Sequence, residues 1–71
     1  MLRALKKTVE LNCSKPEWKV RLKTALQEKR NVTLINLDYT QHGLFCETLS
    51  VAHRIPFSID YKKGVGLFTW H

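Results

Sequence analysis

The sequence predicts an α+β domain, a two-layer sandwich in which two helices pack on one face of a four-stranded mixed sheet in the order βαβαββ. Three patterns lead to this prediction. An apolar stripe at the helical period is followed by a run of alternating β-formers, and two further alternating segments close the chain around a Lys-Lys-Gly turn. Right-handed crossovers place both helices on one face of the sheet and leave the other face uncovered.

The first two elements are a strand and a helix. Apolar and polar residues alternate over residues 8–13, which predicts a short strand. Ser14-Lys15-Pro16-Glu17 then has the spacing of a capping box, in which Ser14 caps a helix and Glu17 returns the bond. The helix is predicted from residue 15 to residue 30. Its core-facing stripe comprises Trp18, Leu22, Ala25 and Leu26.

The middle of the chain has two interpretations. Residues 32–39 are rich in β-formers and predict an interior strand. In the first interpretation, residues 40–43 are a polar breaker and residues 44–54 form the second helix, because their apolar residues have helical spacing. In the second interpretation, the strand pairs with residues 44–51 to form a hairpin. Pro56 ends the element in both cases.

The last two elements form a β-hairpin. Apolar residues alternate with polar ones over residues 57–61, and residues 65–70 continue as a strand. Between them, Lys62-Lys63-Gly64 supplies a short turn with glycine for the left-handed position.

Length and composition favour one globular domain over residues 1–71. Hydrophobic residues make up 44% of the chain and charged residues 25%, which is typical of folded proteins and unlike disordered ones. No apolar stretch is long enough for a membrane span or a signal-peptide core, which predicts a cytoplasmic protein. Reduced cysteines are expected there, although sequence alone leaves a Cys13–Cys46 bridge open.

Positive charge is concentrated in the first half of the chain. Residues 1–31 contain nine Lys or Arg and three Asp or Glu, whereas residues 32–71 contain three of each, so the first half carries the whole net charge of +6. This asymmetry favours a polyanionic partner, either nucleic acid or an acidic protein surface. The alternative is a net charge that only serves solubility.

The first helix is predicted to have one basic edge. At 100° per residue, Lys19, Lys23 and Arg30 project together beside the core-facing stripe. With Lys15 at the helix start and the Lys62-Lys63 turn, they are candidates to contact the phosphates of RNA or single-stranded DNA. The alternative is an ordinary solvated helix face.

The last strand is apolar on both sides, so its aromatic residues have two interpretations. If Phe68 and Trp70 lie on the uncovered sheet face, they form an interface, either for stacked bases beside the basic turn or for a protein or a second copy in a homodimer. Alternatively, these two side chains fill the core, as a small domain requires of most large residues.

Cys13 is the candidate for thiol chemistry. It lies just before the predicted helix start, where the helix dipole and Lys15 favour a thiolate. Here the sequence resembles the SirA-like sulfur carriers, βαβαββ proteins with Cys-Pro-x-Pro at the first helix; this chain has Cys13-Ser14-Lys15-Pro16. The resemblance implies a persulfide on Cys13 and a basic helix that docks sulfurtransferases or an acidic acceptor. The alternative is a cysteine that merely packs on Trp18.

Other chemistry finds little support in the sequence. His42, Cys46 and His53 share a helix face only if the second helix extends back to His42, and their spacing matches no paired zinc signature, so neither metal nor cofactor is predicted. No carboxylate pair, phosphate loop or nucleophile elbow is present, which favours a non-enzymatic protein. The leading hypothesis is an RNA- or single-stranded-DNA-binding module. The alternatives are a sulfur carrier and a small accessory or phage-like protein that modulates another protein.

Overall fold

A computed structural model describes residues 7–70 and confirms the predicted α+β order. Four short strands and two helices alternate as βαβαββ, and the four strands belong to one mixed sheet. In chain order the elements are β1 (Val9–Asn12), α1 (Trp18–Gln27), β2 (Val32–Ile35), α2 (Tyr39–His53), β3 (Phe57–Asp60) and β4 (Val65–Phe68).

The sheet has the order β1-β2-β4-β3, so β1 and β3 are its two edges. β1 and β2 are parallel, whereas β4 is antiparallel to both of its neighbours, β2 and β3. β3 therefore runs in the same direction as β1 and β2. Because α1 and α2 each return the chain between strands of this common direction, the two helices run parallel to each other.

Strand alternation decides which side chains enter the core. Val9, Val32, Phe68 and Phe57 lie in register across the sheet, and all four belong to the hydrophobic core or pack against it. This face meets Leu22 of α1 and Cys46 of α2, both with no exposed surface. The opposite face, which includes Glu10, Thr33, Ser58 and Leu67, lies away from both helices. The two-layer arrangement predicted from the crossovers is thus present.

The predicted capping box at α1 is wrong. The helix begins at Trp18, and its N-cap residue Glu17 makes no side-chain cap. Ser14 instead donates both its backbone N–H and its hydroxyl to Oδ1 of Asn12, at 2.9 and 2.7 Å. These local bonds hold the chain in turns before the helix starts. At the other end, Lys29 is left-handed with φ of 61°, so the helix stops before residue 30.

α2 is longer than predicted, and the hairpin interpretation is wrong. β2 ends at Ile35, and Asp38 caps α2 by accepting from the backbone N–H of Thr40 at 3.1 Å and from its hydroxyl at 2.6 Å. The segment predicted as a breaker is therefore the first turns of a helix. α2 continues through Gly43, a buried position that the ring of Tyr39 covers.

Candidate functional site

Two lysines of α1 share the edge that faces α2. The ammonium nitrogens of Lys19 and Lys23 lie 5.2 and 5.9 Å from the centre of the Phe45 ring. Both lysines are exposed, whereas Phe45 is half-buried. Lys19 and Lys23, two of the three residues of the predicted basic edge, therefore lie on one edge of α1, and we call them the basic pair.

Phe45 is held in place by an aromatic cluster between the two helices. The Trp18 ring packs edge to face on His42, with centroids 5.1 Å apart, and on Phe45, with centroids 5.7 Å apart. Trp18 is buried, so this contact anchors the start of α1 against the first half of α2. Such edge-to-face pairs are favoured by the ring quadrupoles. The basic pair therefore lies over aromatic side chains that pack between the two helices.

The outer side of α2 carries unusually exposed apolar residues. Leu44 is 79% exposed and Val51 is 78% exposed, and Ala52 beside them is also exposed. They border a shallow depression on the helix together with Glu47 and Thr48. We call Leu44, Val51 and Ala52 the apolar stripe.

The helical period of α2 relates the basic pair to the apolar stripe. Residues seven apart on a helix project in nearly the same direction, so Ala52 follows Phe45 along α2 and Val51 follows Leu44. Phe45, which lies near both ammonium groups, therefore projects on the Ala52 side of the stripe, about 100° around the helix from Leu44. We define the α1–α2 face by six residues: Lys19, Lys23, Leu44, Phe45, Val51 and Ala52.

Arg30 does not belong to the basic edge, which corrects the prediction. α1 ends at Gln27, so the helical extrapolation to residue 30 fails. The Arg30 guanidinium instead pairs with Glu28, with Nε and Oε1 2.7 Å apart. Together with Val20 and Thr24, it borders a groove on the β1 side of α1, on the flank opposite the basic pair.

The remaining predicted cations are also dispersed. Lys15 lies between the end of β1 and the start of α1, in a groove shared with Glu10 and Glu17. Lys62 and Lys63 occupy the β3–β4 turn, where both backbone N–H groups donate to Oδ1 of Asp60 at 3.1 Å. This turn joins β4 to β3, the edge strand opposite β1. It is therefore not part of the α1 edge that carries the basic pair.

The predicted aromatic interface is wrong for Phe68. This residue has no exposed surface and packs on Phe57 with ring centroids 4.7 Å apart, on the helix-covered face. Trp70 is half-buried: its indole N–H donates to the carbonyl of Arg30 at 2.8 Å, and Lys29 lies 4.5 Å from its ring centre. On the uncovered face, the described strands carry aliphatic and polar side chains, among which Leu67 is 41% exposed. An aromatic stacking platform is therefore missing from those strands.

Cys13 lacks the setting expected for a reactive thiolate. It is half-buried against the core, and burial raises its pKa to about 11. α1 begins five residues later, at Trp18, so the helix end does not reach the thiol. Cys46 is fully buried, and its pKa is raised to about 12, first by burial and then by the neighbouring Cys13. Both thiols are free, so the bridge left open by the sequence is not formed.

Within residues 7–70, no three His, Cys, Asp or Glu side chains are grouped so as to hold a metal ion. Neither α1 nor α2 is long and apolar enough to span a membrane.

The exposed stripe was missed by sequence reasoning. In the sequence, Leu44 fits the helical spacing of residues 44–54, whereas Val51 fits the strand alternation of the hairpin interpretation. The signal that was available is that apolar residues surround α2 on more sides than one core-facing stripe can bury.

No protein-family model, no curated protein and no solved structure matches this chain. The resemblance to SirA-like sulfur carriers therefore stays a prediction.

Proposed function

We propose that this chain is a non-enzymatic protein-binding module and that the α1–α2 face is its contact surface. The observation that carries the proposal is that the side chains of Leu44 and Val51 are each more than three-quarters exposed. The basic pair is exposed as well. Contiguous apolar surface rimmed by polar groups is typical of sites that bind proteins.

The energetics favour a partner on this face. Burying a leucine or valine side chain that is otherwise exposed stabilises a complex by about 1.5–3 kcal/mol, before the costs of association. Leu44 and Val51 lie one above the other on the same side of α2, so one partner can cover both. The basic pair adds long-range attraction for an acidic partner and increases the rate of association.

A nucleic-acid ligand is less compatible with the arrangement of these residues. A phosphate-binding track requires several cations along one path, but Arg30 pairs with Glu28 on the other flank of α1. Stacking of bases requires exposed aromatic rings, and Phe68 is buried in the core. The α1–α2 face instead combines two cations with aliphatic side chains, which suits a protein.

The test compares protein capture by variants that lose exposed apolar side chains in different places. Leu44→Gln/Val51→Gln removes the two large side chains of the apolar stripe, whereas Val20→Gln removes a 68%-exposed valine that borders the groove on the β1 side of α1 and serves as the control. The tagged proteins are incubated with nuclease-treated lysate of the source organism, and captured proteins are quantified by mass spectrometry. Thermal unfolding verifies that each variant is folded.

We expect the stripe variant to lose the partners that wild type and Val20→Gln retain. Equal capture by all three proteins would exclude the α1–α2 face as the contact surface. Parallel anisotropy measurements with labelled single-stranded RNA and DNA examine the rival function. Tight binding of these probes that is weakened by Lys19→Ala/Lys23→Ala would contradict the proposal and favour nucleic acid.

A further inference from the structure

We infer that the partner segment recognised by the α1–α2 face is an acidic amphipathic helix of another protein. This inference rests on the proposed function. It specifies the ligand from three properties of the face, which are its positive charge, the spacing of its apolar residues and its lack of a strand edge.

The charge of the ligand follows from the basic pair. Lys19 and Lys23 are four residues apart on α1, so their stems rise one turn apart along the same edge. Each ammonium group lies near the ring of Phe45, the residue that follows Leu44 in α2. A ligand with carboxylates one helical turn apart can meet both cations at once.

The apolar spacing of the ligand follows from α2. Leu44 and Val51 are seven residues apart, which corresponds to roughly 10 Å along the helix axis. An amphipathic helix lying along α2 presents apolar residues at i, i+3, i+4 and i+7, which repeat over the same distance. Such a helix can cover both ends of the stripe while its charged side faces the basic pair.

The secondary structure of the ligand follows from the backbone of the face. All six residues of the face belong to α1 or α2, so the face presents helical side chains and no strand edge to a ligand. An extended peptide gains affinity chiefly by adding to a sheet edge, and this face has no strand. A helical ligand satisfies its own backbone and docks through side chains alone.

The experiment uses three synthetic 18-residue peptides with blocked ends. The first places Leu at helical i, i+4, i+7 and i+11 positions with Glu along one flank and Ala elsewhere. The second has the same composition in an order that disperses Leu and Glu around the helix. The third replaces each Glu of the first by Lys. Binding to the full chain is measured by fluorescence anisotropy, and the contact surface by amide chemical-shift changes in ¹⁵N-labelled protein.

Only the acidic amphipathic peptide is expected to bind the wild-type protein, with shift changes concentrated at the basic pair and the apolar stripe. Lys19→Glu/Lys23→Glu should weaken this binding by about tenfold, because two exposed ion pairs are lost and replaced by repulsion. The same variant should bind the Lys peptide. The matched control is Lys62→Glu/Lys63→Glu, which changes the net charge equally in the β3–β4 turn. It should leave the affinity within about twofold.

Three results would overturn the inference. Equal weakening by the two charge reversals would show that net charge alone attracts the peptide. Equal affinity for the dispersed peptide would show that an amphipathic helix is not recognised. If no peptide binds while Leu44→Gln/Val51→Gln still abolishes protein capture, the ligand class is wrong and the proposed function stands. If protein capture is unaffected as well, both proposals fail.

Discussion

The ammonium group of Lys19 lies 5.2 Å from the centre of the Phe45 ring, so a cation of α1 sits directly over an aromatic residue of α2. With Lys23 on the same ring, this contact joins the two helices at their outer surface. The contact therefore places two positive charges at the junction between α1 and α2. Phe45 directly follows the exposed Leu44 in α2.

Lys19→Ala/Lys23→Ala should reduce the free energy of unfolding only slightly. Cation–π contacts at exposed sites contribute about 0.5–1 kcal/mol each, and alanine recovers part of this through its helix propensity. We expect a loss below about 1.5 kcal/mol in urea unfolding, with Arg21→Ala as a control on the same helix. A loss above about 3 kcal/mol would mean that the basic pair is needed for the fold rather than available to a partner.

Gly43→Ala should destabilise the protein although alanine favours helices. A Cβ atom at position 43 would lie 2.5 Å from Cε1 of Tyr39, so the ring would have to leave its place. That ring donates its hydroxyl to Glu47 and packs on Tyr61 with centroids 5.0 Å apart. We expect a loss of about 1–2 kcal/mol in chemical denaturation.

The matched cycle for Gly43 removes the ring first. In a Tyr39→Ala background, Gly43→Ala should become stabilising by up to about 1 kcal/mol, because only helix propensity remains. The same sign in both backgrounds would contradict the steric explanation.

Phe68→Ala and Leu67→Ala should differ greatly in their loss of unfolding free energy, although the two residues are adjacent. Phe68 is fully buried on the helix-covered face, and its truncation should cost about 3–5 kcal/mol. Leu67 points to the uncovered face and is 41% exposed, so its truncation should cost less than about 1 kcal/mol. Urea unfolding of both variants measures the difference. Similar losses would indicate that the uncovered face is buried, for example in a homodimer.

Trp70→Phe should cost about 1 kcal/mol, because it removes the indole N–H that donates to the carbonyl of Arg30 at 2.8 Å. Trp70→Ala should cost about 2–3 kcal/mol, since it also removes half-buried packing. Equilibrium unfolding gives both values, and Thr69→Ala, at an exposed position, is the control. If Trp70→Phe is neutral, the hydrogen bond does not hold the end of the chain to the α1–β2 connection.

Cys13 should be alkylated slowly at neutral pH. A pKa raised by burial from 9.0 to about 11 lowers the thiolate fraction about a hundredfold. A more basic thiolate is also a better nucleophile, which recovers about a factor of ten in rate. The alkylation rate should therefore be about tenfold below that of free cysteine. Because the folded pKa is raised, the rate should keep rising with pH up to about 11.

The alkylation experiment follows iodoacetamide modification by mass spectrometry in a Cys46→Ala variant. The same protein in guanidinium chloride is the control, since its unfolded thiol should react like free cysteine. Faster reaction in the folded state would contradict the effect of burial. It would favour the sulfur-carrier hypothesis.

Several features of this protein follow from local sequence patterns alone. The order of the six elements was predicted, because strand alternation, the Trp18–Leu26 stripe and the Gly64 turn are properties of neighbouring residues. The common edge formed by Lys19 and Lys23 was predicted for the same reason, since both lie within one regular helix. The starts of the two helices were not predicted correctly, because they depend on local side-chain hydrogen bonds. Ser14 binds Asn12 before α1 begins, and Asp38 caps α2 so that it starts at Tyr39.

The candidate site depended on tertiary structure. β4 is apolar on both sides, so only its pairing with β2 and β3 decided that Phe68 is buried and Leu67 exposed. Likewise, α2 has more apolar residues than one face can bury, and its packing through Cys46 and Leu49 left Leu44 and Val51 outside. Sequence patterns state which residues are apolar, but the finite area of a four-stranded sheet with two helices decides which of them stay exposed.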